Sequence, residues 1–344
     1  MRLGFALVIA LAQLACTAKL AKPSVSAPAA TPIPLPDGAG GIGFDDLGFA
    51  PGLHRVLAPA GGTGNLDLVD PDTRAVTAIP GFSKSSGGAG HGNGTTSADE
   101  GGGFLFASDR DTRTVNVVDP VKRMIVASAP LAAGPDYVRF VAATHELWVT
   151  EPNAKQIEVF SLPPSGTPQP VSVATIGLDD GPESLVIDAT RKRAYTHEWG
   201  SKSHAVDLLS HRVVATWENG CAGSRGIGLD EKKGFLFAGC DEGKAVVLDV
   251  DHDGRVLGSL NTGVNGVDII AYNSSLGHLY LPGESSGTLA ILAVSSSGAL
   301  SPLAVARAGV GSHCAAADDR GNVWVCDPEH GQLLLYHDAF AASP

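Results

Sequence analysis

Charge, aromatic side chains and methionine are all scarce here. Charged residues make up 17% of the 344 positions, aromatics 6%, and Met occurs twice. With 44% hydrophobic residues the low charge excludes a disordered, self-repelling chain. No window sustains an apolar period of 3.6 residues, which excludes a helical bundle. Lys and Arg number 24 against 36 Asp and Glu, a formal net charge of −12, so the chain lacks the cationic surplus that nucleic-acid phosphates demand. There is no His-Glu-x-x-His and no Walker loop. The glycine run Gly87–Gly94 has no Lys-Ser/Thr after it and opens no helix, so it is not a phosphate cradle. Cysteine is limited to five residues, none in a Cys-x-x-Cys pair.

What the chain has is glycine (43) and proline (22), spread among short apolar runs. Those runs recur about every forty residues, a period that points to a β-propeller with one four-stranded blade per repeat. The clearest copies begin at Phe104, Glu146, Arg193 and Phe235, and fainter ones at His54, His278 and Asn322. Seven copies predict seven blades in an all-β fold. In the copy from Gly223 the strands are expected near Gly226–Leu229, Phe235–Gly239, Ala245–Val250 and Arg255–Leu260. Asp253-Gly254 supplies a tight hairpin turn before the last of them. The final copy offers strands near His313–Ala317, Asn322–Cys326 and Gln332–Tyr336, then stops without a fourth. A segment near Thr31–Pro36 is therefore expected to close the ring as an outer edge strand, where its prolines are tolerable. Residues 41–340 then form a single propeller.

The N-terminus reads as a targeting signal. Met1-Arg2 and the apolar stretch Leu3–Ala15 have the form of a secretory signal over residues 1–15, too short to span a bilayer comfortably. Residues 16–40 are a Ser/Pro/Ala-rich tether plus the closing strand. Cys16, after Leu14-Ala15, fits the lipidated cysteine of a bacterial lipoprotein. Gln13 departs from that pattern, and ordinary cleavage, for instance after Ala18, is the alternative. The expected location is the periplasm or an envelope anchor, with a lipid on Cys16 as the sole membrane attachment and a monomer as the expected state. The remaining cysteines suit an oxidising compartment. Cys221 with Cys240 and Cys314 with Cys326 each flank one hairpin, so two local disulfides are the economical pairing, each worth roughly 3 kcal/mol or less. A thiol metal site or a reactive cysteine is the competing reading.

Val117-Val118-Asp119-Pro120, the basic residue and Ile-Val-Ala that follow, and Gly134-Pro135 before the next strand resemble the YVTN repeat of YncE-type bacterial propellers. Similar family-like openings are Gly-Phe-Asp-Asp-Leu at 43–47, Gly-His-Gly at 90–92, Gly-Pro-Asp at 134–136 and Gly-Pro-Glu at 181–183. The resemblance spans roughly residues 40 to 338. It implies the seven-bladed fold, export and a Cys221–Cys240 disulfide. The family's activity is poorly defined, and one member is connected with DNA. The chain departs from the family pattern at Gly94–Gly103 and at His313-Cys314.

Aligning the copies places one residue per blade at the start of the innermost strand: Asp45, His91, Asp136, Glu183, Arg225, Asp268 and His313. In a propeller these positions ring one mouth of the axial channel, so the seven are the expected ligand-binding ring. Carboxylates and imidazoles bind divalent cations, which makes His91, Asp136, Glu183, Asp268 and His313 the candidate metal ligands for an ion of unspecified identity. A second set, Asp109, Glu151, Glu198, Asp241, Glu284 and Asp327, follows the second strands. It either adds to a negative field or caps turns by accepting backbone N–H bonds. Arg110, Arg113, Lys122 and Arg123 form the best basic patch, on which a DNA-binding reading would rest. His54, His145 and His278 read as surface residues, and His197 as core.

Two function classes lead, ahead of a purely protein-interacting propeller and a DNA-binding one. One is an exported scaffold or binding module holding a small ligand, a cation or an envelope protein at the channel mouth. The other is a metal-dependent hydrolase, lactonase-like, or an oxidoreductase using the same ring. In that reading His91 or Glu183 is the base and Arg225 stabilises developing negative charge.

Overall fold

The computed structural model describes residues 27–85 and 92–343. The signal segment, Cys16 and His91 lie outside the described residues. The rest is a ring of seven four-stranded antiparallel sheets. In blade five the strands are Ser224–Asp230, Phe235–Cys240, Lys244–Asp249 and Arg255–Asn261, within two residues of the expected bounds at each end. Innermost strands of successive blades touch around the whole ring, and that of blade one, Gly48–Ala50, meets that of blade seven, Ala315–Ala317.

Blade seven takes its fourth strand from the other end of the chain. Thr31–Pro34 pairs antiparallel with Gln332–His337, from Thr31 opposite Leu335 to Pro34 opposite Gln332. Pro32 and Pro34 sit on an outer edge that needs no donors on its free side. Ile33 and Leu35 are buried and join the core that also holds Leu333 and Leu335. The apolar alternation that marks a half-buried strand thus also anchors the closing segment.

Burial explains why the middle strands are the most apolar. Glu146–Glu151 and Phe235–Cys240 are buried along their whole length, whereas the outer strand Val171–Gly177 is largely exposed. Each fully buried Leu or Phe between blades, such as Leu236 or Phe237, contributes about 2 kcal/mol of apolar transfer.

The recurrent Asp between the third and fourth strands has a local cause. Asp119 Oδ1 accepts the backbone N–H groups of Val121 and Lys122, and Asp70 and Asp207 repeat the arrangement. Those N–H bonds hold all three carboxyls below their usual range. The turn then reverses through a residue at positive φ: Arg74, Arg123 or His211. In blade five Asp253 and Gly254 both take positive φ, 55° and 65°, as the central residues of a primed turn closed by the Arg255 N–H on the His252 carbonyl at 3.1 Å, within the loop that joins Asp249 to Arg255.

His278 corrects the surface reading. It is fully buried, with Nδ1 2.7 Å from Asp338 Oδ2 and Nε2 3.1 Å from the Ala341 carbonyl, so it clamps the C-terminal tail. Asp338 also accepts from the Tyr280 hydroxyl at 2.6 Å.

Candidate functional site

Six of the seven ring positions are described, and each stands at or just before an innermost strand. Five of them, Asp45, Asp136, Glu183, Arg225 and Asp268, line one cavity of about 420 Å³ at the channel mouth. Close approach of neighbouring blades is what gathers them. A Cβ on Gly226, next to Arg225, would fall 2.1 Å from the Asp268 carbonyl oxygen, so glycine alone allows blades five and six to close there.

Arg110 organises one side of the cavity. Its Nη2 lies 2.6 Å from Asp45 Oδ2 and 2.7 Å from Asp136 Oδ1, and its other nitrogens donate to the Pro135 and Gly92 carbonyls at 3.0 Å. In sequence Arg110 falls in a basic patch with Arg113, Lys122 and Arg123. The structure instead turns it inward between two carboxylates, while Arg113, Lys122 and Arg123 are exposed. The signal was available: Arg110 directly follows Asp109, at the strand end that faces the mouth.

On the other side Glu183 accepts a hydrogen bond from the Trp199 indole N–H, and Arg225 Nε stands 3.8 Å from its other oxygen. Asp241 and Glu284 also line the cavity. Six carboxyls therefore face two guanidiniums, and both guanidiniums are engaged. Burial, with Asp268 and Asp45 nearby, raises the Glu183 carboxyl from its ordinary value of 4.5 to about 9. Burial and Asp45 likewise raise Asp136 well above the usual carboxylate range. Glu183 in particular is thereby biased toward its protonated form at neutral pH.

The outer acidic set divides. Asp109 accepts from the Ser83 N–H and hydroxyl at 2.7 Å, Glu151 from the Ala133 N–H at 2.8 Å and Glu198 from the Asp180 N–H at 3.0 Å. Asp327 accepts from Gln332 Nε2 at 2.7 Å. These four fasten loops, and Asp241 and Glu284 alone join the cavity wall.

His313 departs from the ring. It is fully buried, with Nδ1 2.6 Å from the Gly311 carbonyl and Nε2 3.2 Å from the Phe44 carbonyl. Both ring nitrogens thus face oxygens that only accept; burial opposes charge on the ring, but Cys326, Asp268 and the Gly311 carbonyl outweigh it and raise the imidazole well above its usual range. Beside it the expected Cys314–Cys326 disulfide is absent, and both residues are free thiols. Cys326 Sγ accepts the backbone N–H groups of His313 and Cys314 at 3.3 and 3.1 Å and lies 4.0 Å from His313 Nδ1. Burial works against a thiolate there, but the Cys314 thiol and the His313 charge outweigh it and bring Cys326 well below the usual thiol range. Cys221 and Cys240 do form a disulfide, with Cα atoms 5.4 Å apart.

Metal-ligand geometry falls in the same place. Among the described residues, the set of three or more His, Cys, Asp or Glu whose ligand atoms all lie within 4.8 Å of one another is His313, Cys314 and Cys326. The ring carboxylates do not converge that closely. His197 is core, bonded to Ser203 Oγ and the Phe237 carbonyl, and burial lowers its imidazole to about 4.

The acid–base groups at the mouth are carboxyls and Tyr137. Among the described residues lining the cavity none is Ser, Thr, Cys, His or Lys. A Gly-x-Ser-x-Gly spacing does occur at Gly283-Glu284-Ser285-Ser286-Gly287. It is no strand-to-helix nucleophile elbow: Gly287 N–H bonds back to the Gly283 carbonyl at 2.9 Å, closing a hairpin turn between two strands of blade six.

No family model matches the sequence, and no curated protein matches it. Solved structures match over nearly the whole chain. A chain of Kuenenia stuttgartiensis hydrazine synthase aligns with a TM-score of 0.69 at 13% identity, covering 89% of this chain and 97% of that one. A chain of a mitotic checkpoint complex aligns at 0.73 and 14%, covering 96% and 99%. The β-propeller domain of Myceliophteria thermophila Cps50 (Swd1) aligns at 0.70 and 11%, covering 87% and 98%. At these identities the likeness is one of fold, and the fold is that of a seven-bladed β-propeller scaffold.

Proposed function

We propose that this protein is an exported binding module whose channel mouth takes a small organic cation. The observation that carries the reading is the charge imbalance in one half-enclosed cavity: six carboxyls against two guanidiniums that are already paired. A cation entering there competes with the proton on Glu183 and meets carboxylates in a poorly solvated setting, where each contact is worth more than in water. The spread of the carboxylates favours an ammonium or guanidinium with some reach over a bare divalent ion. Trp199 on the same wall offers an aromatic face for the cation's alkyl part or its charge.

Export rests on the form of residues 1–15 and agrees with the Cys221–Cys240 bond. The YncE-type resemblance points the same way. Intact mass of the mature protein distinguishes lipid on Cys16 from cleavage after Ala18.

The binding test is calorimetry with putrescine as the probe, n-butyrate as the anionic control and Ca(II) as the bare-ion control. Putrescine should bind with release of protons to the buffer, its affinity rising with pH toward about 9, where Glu183 ionises. Glu183→Gln should weaken it at least tenfold and remove most of the proton release. Equal or tighter binding of butyrate would sink the proposal.

A further inference from the structure

We infer that His313, Cys314 and Cys326 form a buried site for a single thiophilic d10 cation, of the Zn(II) or Cu(I) class, separate from the carboxylate mouth. All three residues are fully buried, and their ligand atoms lie within 4.8 Å of one another. The chain order builds the cluster economically. Cys314 follows His313 immediately before the innermost strand of blade seven, and Cys326 lies on the strand paired with it, where its N–H bonds the Cys314 carbonyl at 3.0 Å.

The surroundings of each ligand suit coordination. Two backbone N–H groups point at Cys326 Sγ, at 3.3 and 3.1 Å, an arrangement that stabilises sulfur carrying negative charge. His313 Nε2 donates to the Phe44 carbonyl at 3.2 Å, which fixes the ring and leaves Nδ1 on the sulfur side, 4.0 Å from Cys326 Sγ. A ligating histidine is ordinarily oriented by such a bond from its other nitrogen to a carbonyl. The Nδ1 proton bonds the Gly311 carbonyl at 2.6 Å.

Metal entry displaces the Nδ1 proton and the protons carried by the two sulfurs, and these leave to solvent. No electron moves. Two sulfurs and one imidazole select a soft or borderline ion over the hard ions that carboxylates prefer. Asp45 and Asp268, which line the mouth, also lie within electrostatic reach of Cys314, so the acidic vestibule concentrates cations beside the thiols.

The test titrates the mature protein with Cd(II), and separately with Cu(I) under anaerobic conditions, after counting thiols by alkylation and peptide mapping. The expected result is free Cys314 and Cys326 and a thiolate-to-metal charge-transfer band that saturates at one equivalent. The band should be lost in Cys326→Ser and Cys314→Ser and unchanged in Glu183→Gln. Far-UV circular dichroism checks each variant. If either cysteine variant unfolds, His313→Gln and the metal-dependent rise in Tm of the wild type replace it, with a rise expected in the wild type and little in the variant. A native Cys314–Cys326 disulfide would overturn the inference, as would folded protein with both thiols free and no band. Loss of putrescine binding alone would leave it standing, so the two sites fail separately.

Discussion

The channel mouth and the thiol cluster of blade seven start from equivalent places in the repeat and end as opposite chemistries. Asp136 and His313 both stand two residues before an innermost strand. One lines an open cavity among carboxylates and the other is sealed between two carbonyls and a sulfur. The repeat fixes where a side chain starts, and the neighbouring blade decides what it meets. Asp136 meets Arg110, and His313 meets Phe44 and Cys326.

The same lesson holds for the two cysteine pairs. Cys221 lies three residues ahead of Ser224, which pairs with Cys240, so a loop brings the two sulfurs together. Cys314 directly precedes Ala315, which pairs with Val325, so it faces Cys326 along the ladder with His313 beside it. Two hairpin-flanking pairs, 19 and 12 residues apart, therefore give a covalent bond in blade five and a thiol cluster in blade seven.

The sharpest way to separate the regions is to remove the cation that holds the mouth together. Arg110→Ala leaves Asp45 and Asp136, both nearly buried, facing each other without a partner. Urea unfolding at pH 7 should show a loss of about 3 kcal/mol, partly recovered in Arg110→Ala with Asp136→Asn. A loss below about 0.5 kcal/mol would mean the pair is effectively solvated.

A smaller effect distinguishes the cysteine pairs. Reduction should destabilise the wild type by up to about 3 kcal/mol through the Cys221–Cys240 bond, and should leave the double variant Cys221→Ala, Cys240→Ala unchanged. A variant that still responds to reductant would reveal a second disulfide in blade seven.

Much of this architecture was legible in the chain. Seven apolar cycles gave the blades, and the missing fourth strand pointed to a segment near Thr31–Pro36, of which Thr31–Pro34 forms the strand. Five of the seven ring positions, Asp45, Asp136, Glu183, Arg225 and Asp268, line the cavity to which the same alignment assigns them. What the alignment left out were contacts across blades: Arg110 reaching Asp45 over 65 positions, His278 meeting Asp338 over 60, and Phe44 meeting His313 over 269. No local pattern encodes these, because they arise where the ring brings distant segments edge to edge. Oxidation state escaped as well, since hairpin spacing says how near two sulfurs come and not which groups share their space.

The most direct test of the cation-binding mouth is the titration of Glu183 itself, followed by carbon NMR of labelled carboxyls and assigned by difference from Glu183→Gln. The carboxyl should titrate near 9 in the free protein and several units lower with saturating putrescine, because the bound cation takes over the role of the proton. Titration near the ordinary carboxylate value, unmoved by putrescine, would contradict the account.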